Sequence, residues 1–153
     1  MKSILLLGAL VAIATGVAIG IQSTLSSRIG PLIGDLRTGL LMNLMGGSLA
    51  GVLVAGIVIS QGAAILRPPR PALIMLIVAG ALGILIITGI AYAFQRIGVA
   101  AGLASLILGQ LAISIIADTT GFGGVEPIPL TPSRVIGGLV MLVAVYLMLP
   151  RNA

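Results

Sequence analysis

Five long apolar stretches dominate this sequence of 153 residues, and its charged residues lie between the stretches or at their ends. The stretches cover residues 4–25, 38–60, 71–94, 98–117 and 134–149. A helix needs about 20 apolar residues to cross the hydrocarbon core of a bilayer. We therefore predict an all-α integral membrane protein with five transmembrane helices in a single membrane domain, residues 1–153. The fifth stretch is short, so Arg134 must extend its charged end to the interface.

The composition excludes several classes of protein. Only 7% of the residues are charged, whereas about a quarter are charged in soluble domains. The chain therefore has too few charged residues to cover the surface of a soluble domain. The chain has no Cys and no His. It therefore lacks thiol nucleophiles, disulfides, zinc ligands and the commonest general base. We expect no catalytic residues, no metal and no cofactor, and an enzyme acting on lipid is the weakest alternative. The basic residues are scattered singly, so nucleic acid is not an expected partner.

Proline and glycine mark the predicted connections, because proline cannot continue a helix but fits its first turn. Pro31 and Gly34 are predicted to break the chain between the first two helices, and Gln95 and Arg96 to form a tight hairpin before Gly98. Proline clusters mark the second and fourth connections at Pro68, Pro69, Pro71, Pro127, Pro129 and Pro132.

The distribution of Lys and Arg bears on how the chain is oriented, because these residues favour the cytoplasmic side. After five crossings, the bases on one side are Lys2, Arg67, Arg70 and Arg134, and those on the other are Arg28, Arg37, Arg96 and Arg151. An even split also arises by chance. The absence of a bias nevertheless favours dual topology, in which copies insert both ways and pair as an antiparallel homodimer.

Small residues at four-residue spacing form stripes on three of the predicted helices. Such residues share a helix face and allow backbones to approach closely. The stripes are Gly8, Ala12, Gly16 and Gly20, then Gly47 and Gly51, and then Gly98 and Gly102. We predict that most of them are packing seams between helices of one chain.

Uncharged polar side chains within the apolar stretches are the candidate solute-binding residues, because a polar group at membrane depth needs a partner. They are Gln22, Asn43, Tyr92 and Gln110. For Asn43 and Gln110, two interpretations remain open, namely hydrogen bonds between helices and the lining of a polar cavity. Tyr92 is placed either at the membrane interface or in that cavity.

Asp118 and Arg134 are a second pair of candidates, for coupling or gating. Asp118 is predicted to close the fourth helix and Arg134 to open the fifth on the same side, where an ion pair is possible. One interpretation is that this pair anchors the fourth connection, and the other is a proton or cation site at the mouth of a pathway. No carboxylate lies deep in a predicted helix, which counts against cation export through a mid-membrane Glu.

The order of residues in the last two helices resembles a known family. The motif is Gly109-Gln110, Asp118, Gly121-Phe122-Gly123, Pro129-Leu130, Arg134 and Gly137. It is similar to the YdcZ-type branch of the drug/metabolite transporter superfamily, and the segments 16–22 and 79–83 look similar too. The chain departs from the family pattern at Ser26, where Asn is expected, and at Thr119, where His is common. The resemblance implies a multi-pass protein of the bacterial inner membrane that forms half of a ten-helix inverted-repeat transporter.

We accordingly expect a small-molecule transporter that works by alternating access, with a second copy of itself, membrane lipid and a small solute as its partners. Both orientations in the membrane are expected. The alternative is a non-transporting membrane subunit that packs against a larger partner through its glycine seams. The sequence does not specify the solute.

Overall fold

The computed structural model describes residues 2–122 and 126–150, and these residues form α-helices and connections without strands. The α-helices are α1 (Lys2–Ile33), α2 (Asp35–Gln61), α3 (Arg70–Ile97), α4 (Val99–Thr120) and α5 (Pro132–Met148). One turn of 3₁₀-helix, Ala63–Leu66, lies between α2 and α3. The predicted all-α fold is confirmed.

Helices α1 to α4 are long and apolar enough to cross a membrane. Helix α5 has only 17 residues, a length of about 26 Å at 1.5 Å per residue against a hydrocarbon core of about 30 Å. The structure thus gives four candidate spans and one shorter apolar helix, and the fifth crossing stays a prediction. Most large apolar side chains of the described segments are exposed in the single chain, as lipid-facing residues are.

The connection between α1 and α2 differs from the prediction. Helix α1 continues through Pro31 to Ile33, and Gly34 alone separates it from α2. Pro31 therefore does not end α1, although it cannot donate the helical hydrogen bond to the residue four positions before it. Gly34 does end α1, since its φ of 91° and ψ of 148° belong to a region open essentially to glycine only. Its carbonyl accepts hydrogen bonds from both the backbone N–H and the hydroxyl of Thr38, each at 2.9 Å.

The predicted ends of α3 and α4 also need correction. Gln95 and Arg96 belong to α3, so Gly98 alone connects it to α4. Asp118 does not close α4 but lies in its last turn, and the helix ends at Gly121 in the left-handed conformation usual for a C-terminal glycine. Proline marks both later helix starts as predicted, with Pro71 in the first turn of α3 and Pro132 opening α5.

The chain divides into two compact units, one up to Tyr92 and one from Ala93 onward. In the first unit α1 packs against α2, and the Ser26 hydroxyl on α1 donates to the Ile87 carbonyl on α3 at 3.3 Å. In the second unit α4 packs against α5, and the buried Phe94 ring lies against Gly102. The expected single membrane domain stays a prediction.

The small-residue stripes of α1 and α2 are not packing seams within the described part of the chain. A Cβ atom added at Gly8, Gly16, Gly47 or Gly51 would have no atom within 4 Å apart from the adjoining turns of its own helix. Gly102 does meet a neighbour, the Phe94 ring. The prediction of intrachain seams is therefore wrong for these four glycines, because the spacing defines a shared helix face but not what covers it.

Candidate functional site

Two of the predicted solute-binding residues line the same cavity in the first unit. This cavity, of about 170 Å³, is lined by Gln22 from α1, Ile87 from α3, and Met42, Asn43, Gly46 and Gly47 from α2. We call it the amide cavity after its two carboxamide side chains. The structure thus places Gln22 and Asn43 at the same cavity, although they lie on different helices.

The position of Asn43 is fixed by close packing between α2 and α3. Its side-chain N–H donates to the Gly39 carbonyl one turn earlier, at 2.9 Å. A Cβ at Gly83 on α3 would lie 2.8 Å from Asn43 Oδ1, so only a glycine leaves room for this carboxamide orientation. Gly39 allows the approach itself, because a Cβ there would lie 2.9 Å from the Ile84 carbonyl oxygen.

Gln22 reaches the amide cavity from α1, and its carboxamide makes no hydrogen bond to the described residues. The hydrogen-bonding capacity of this side chain is therefore available to a solute. The next residue, Ser23, is 1% exposed, and its hydroxyl has no partner within the described segments. The hydroxyl of the buried Ser26 on α1 donates a hydrogen bond to the carbonyl of Ile87 on α3, and Ile87 also lines the cavity.

Asp118 and Arg134 form an ion pair in the second unit. Arg134 Nη2 lies 3.0 Å from Asp118 Oδ2, and the two side chains are 31% and 36% exposed. They lie at a cavity of about 380 Å³ between α4 and α5, lined also by Ser114, Gly137 and Gly138. The backbone carbonyl of Asp118 accepts a 2.9 Å hydrogen bond from the N–H of Ile128. The predicted ion pair between Asp118 and Arg134 is therefore present. Together with the hydrogen bond from Ile128, it connects the end of α4 with the start of α5 and with the segment between them.

The other two predicted binding residues do not line the amide cavity. Tyr92 is exposed on α3. Gln110 is exposed on α4, where Gln110, Ser114 and Asp118 follow at four-residue spacing and share one face. The structure thus places Gln110 on the same polar stripe as the ion pair.

Sequence reasoning gave no structural role to Gly39, Gly83, Ser26 and Ser114, although it noted Ser26 and the segment 79–83 in the comparison with the family. The four-residue spacing of Gln110, Ser114 and Asp118 was a signal that could have found Ser114. No comparable signal distinguishes Gly39 and Gly83 from the other glycines, because their importance depends on which helix lies opposite. Across residues 2–122 and 126–150, no group of three acidic, His or Cys side chains could hold a metal ion.

Comparison with protein families shows which family the chain matches. The sequence model of a family described as "Putative inner membrane exporter, YdcZ" matches residues 7–147, which is nearly the whole chain. The chain belongs to the YdcZ family. A search of curated proteins and a search of solved structures found no match.

Membership of the YdcZ family confirms the resemblance seen in the sequence. It indicates a transporter rather than an enzyme, in agreement with the four apolar helices that are long enough to cross a membrane. The inner membrane is the location that the family description gives.

Proposed function

We propose that this YdcZ-family chain exports a small solute across the inner membrane by alternating access, as an antiparallel homodimer of two oppositely inserted copies. Each copy supplies half of a ten-helix inverted repeat, and rocking of one half against the other opens the path alternately to each side. Family membership supports export. The joining of Gln22 and Asn43 in one polar cavity is the observation that carries the assignment of the binding site.

In this proposal the six candidate residues have two roles. Gln22 and Asn43 bind the solute in the amide cavity, and Tyr92 and Gln110 add hydrogen bonds elsewhere along its path. Asp118 and Arg134 gate the path, because their ion pair connects the ends of α4 and α5 and is exposed enough to open.

Two observations support the antiparallel homodimer. The Lys and Arg residues divide equally between the two predicted sides, which removes the usual preference for one orientation. Gly8 and Gly16 on α1 and Gly51 on α2 are also open in the single chain, whereas Gly47 lines the amide cavity. Open small-residue faces are suited to close approach by another helix.

Export is expected to depend on where the Asn43 carboxamide lies. Cells producing the chain or a variant are compared by mass spectrometry of the solutes in their medium. Asn43→Ala removes the carboxamide, and Gly83→Ala displaces it by placing a methyl group against Oδ1. A lost hydrogen bond to the solute corresponds to about 0.5–1.5 kcal/mol, so we expect export to fall about two- to tenfold in each variant.

The matched control is Gly80→Ala, one turn earlier on α3, where an added methyl group meets nothing within 4 Å. This variant should export at the level of the unmodified chain. If the Gly83→Ala and Gly80→Ala variants export at the same level, the assignment of the amide cavity is wrong. Absence of any exported solute would instead favour the non-transporting subunit.

Dual topology is expected to appear as labelling of each terminus from both sides of the membrane. The chain has no Cys, so Ser3→Cys and Asn152→Cys each introduce a single thiol without changing the charge. Intact cells and inverted vesicles are treated with a membrane-impermeant maleimide. We expect about half of each thiol to react in each preparation. Reaction of a terminus from one side only contradicts the antiparallel homodimer.

A further inference from the structure

We propose that the exported solute is uncharged, neither an ion nor a zwitterion, and that it is recognised through groups that both donate and accept hydrogen bonds, such as carboxamides or hydroxyls. This inference deepens the proposed function and rests on it. It follows from the chemistry of the amide cavity, from the charges on the helices that form it, and from its volume.

The lining of the amide cavity is polar but contains no ionisable side chain. Its polar side chains are two carboxamides, and each carboxamide has two N–H donors and one acceptor oxygen. Asn43 uses one N–H on the Gly39 carbonyl. The other N–H and the oxygen of Asn43, together with the whole carboxamide of Gln22, can bind a solute. Such a set is complementary to a solute that has donors and acceptors together.

The helices around the cavity offer no counter-charge to a bound ion. Toward the Gly34 connection, the nearest charge on α1 is Arg28, about 9 Å along the helix axis from Gln22, and the nearest on α2 is Arg37, about 9 Å from Asn43. Helix α3 carries no charge between Arg70 and Arg96. A buried ion without a counter-charge costs several kcal/mol, so an ion would bind far more weakly than an uncharged solute of the same shape. A zwitterion needs two such partners and is disfavoured for the same reason.

The volume of the amide cavity restricts the solute further. The amide cavity, of about 170 Å³, is small and partly open to the outside, so it limits the size of the group that enters it rather than the size of the whole solute. Met42 and Ile87 supply its apolar wall. The solute class that fits is therefore a small polar molecule, or a small polar group of a larger one, with one apolar side.

The test is the charge of the solutes whose export depends on Asn43. Solutes in the medium are quantified for the unmodified chain, for Asn43→Ala and for the control Gly80→Ala. We expect every solute that falls with Asn43→Ala and not with Gly80→Ala to be uncharged at pH 7. A second variant, Asn43→Asp, keeps the shape of the side chain but introduces a negative charge. We expect it to reduce export of these solutes at least tenfold and to permit export of cations of similar size.

The outcomes separate this inference from the proposed function. If the Asn43-dependent solutes are ions or zwitterions, the chain is an exporter with this binding site but the inference is wrong. If Asn43→Asp exports the same solutes at an unchanged rate, the inference is also wrong, because the site then does not discriminate by charge. If no solute depends on Asn43, both the site assignment and the inference are overturned.

Discussion

Gly39→Ala is expected to destabilise the first unit by about 3 kcal/mol or more, the upper end of what overpacking costs. A methyl group at Gly39 would lie 2.9 Å from the Ile84 carbonyl oxygen and 3.1 Å from the Thr88 amide nitrogen, and it would also collide with the Thr88 hydroxyl. The first two are backbone atoms, so the clash is relieved only if α2 and α3 move apart. The measurement is the free energy of unfolding in mixed detergent micelles.

The matched control for this variant is Gly51→Ala on the same helix, where an added methyl group meets nothing within 4 Å. Alanine is favoured over glycine in a helix by about 1 kcal/mol, so this variant should be neutral or slightly more stable. The two substitutions make the same chemical change and are expected to have opposite signs. Equal stability of the two variants would show that α2 and α3 do not approach at Gly39.

The clash caused by Gly39→Ala is expected to affect the amide cavity as well as the stability of the first unit. The Gly39 carbonyl accepts the hydrogen bond that orients Asn43, so a shift of α2 moves a residue of the amide cavity.

Thr88→Ala removes the hydroxyl that faces Gly39 and should recover part of the stability lost in Gly39→Ala. Because the backbone contacts remain, we expect the recovery to be incomplete.

Gly102→Ala is expected to destabilise the second unit by about 2–3 kcal/mol. The added methyl group would lie 2.9 Å from Cγ of Phe94 and closer still to two other ring carbons. Rotation of the ring does not move Cγ, so the whole side chain must shift, although it is 3% exposed and tightly enclosed. Thermal unfolding in lipid nanodiscs measures the loss.

A size exchange tests whether the Phe94 ring is the cause. Phe94→Leu removes ring volume and should itself be destabilising, but it makes room for a methyl group at Gly102. The double variant is expected to be more stable than the sum of the single effects, with a coupling of about 0.5–3 kcal/mol. Gly109→Ala, with nothing within 4 Å of its added methyl group, is the control on α4. Additive effects in the double variant contradict the packing described at Gly102.

The sequence predicted the existence of the five helices well, because the apolar stretches are long and the physics of a bilayer leaves few alternatives to a helix. The ends were less accurate, as Pro31 and Arg96 show. Both were placed in connections from residue type alone, but each lies inside a helix that a single glycine terminates. The conformation of that glycine ends the helix. The sequence alone does not show which of several nearby glycines and prolines will be the one that ends it.

The candidate site was predicted in part. Gln22 and Asn43 could be chosen because polar groups at membrane depth are costly, and the structure places them in one cavity. That Tyr92 does not line this cavity and that Gln110 belongs to the second unit could not be predicted, since both depend on how the helices pack. Gly39 and Gly83 were missed for the same reason, because a glycine matters where another backbone or side chain approaches it.

The single-residue connection at Gly34 has a consequence for how the molecule is assembled. The two helices that it joins are consecutive in the chain, so bringing them side by side closes almost no loop and costs little chain entropy. Domains fold from the N-terminus during synthesis, and short-range contacts form fastest. The hairpin of α1 and α2 therefore brings Gln22 and Asn43 together through contacts that are short-range in the sequence, and only Ile87 of the cavity lining comes from the later helix α3.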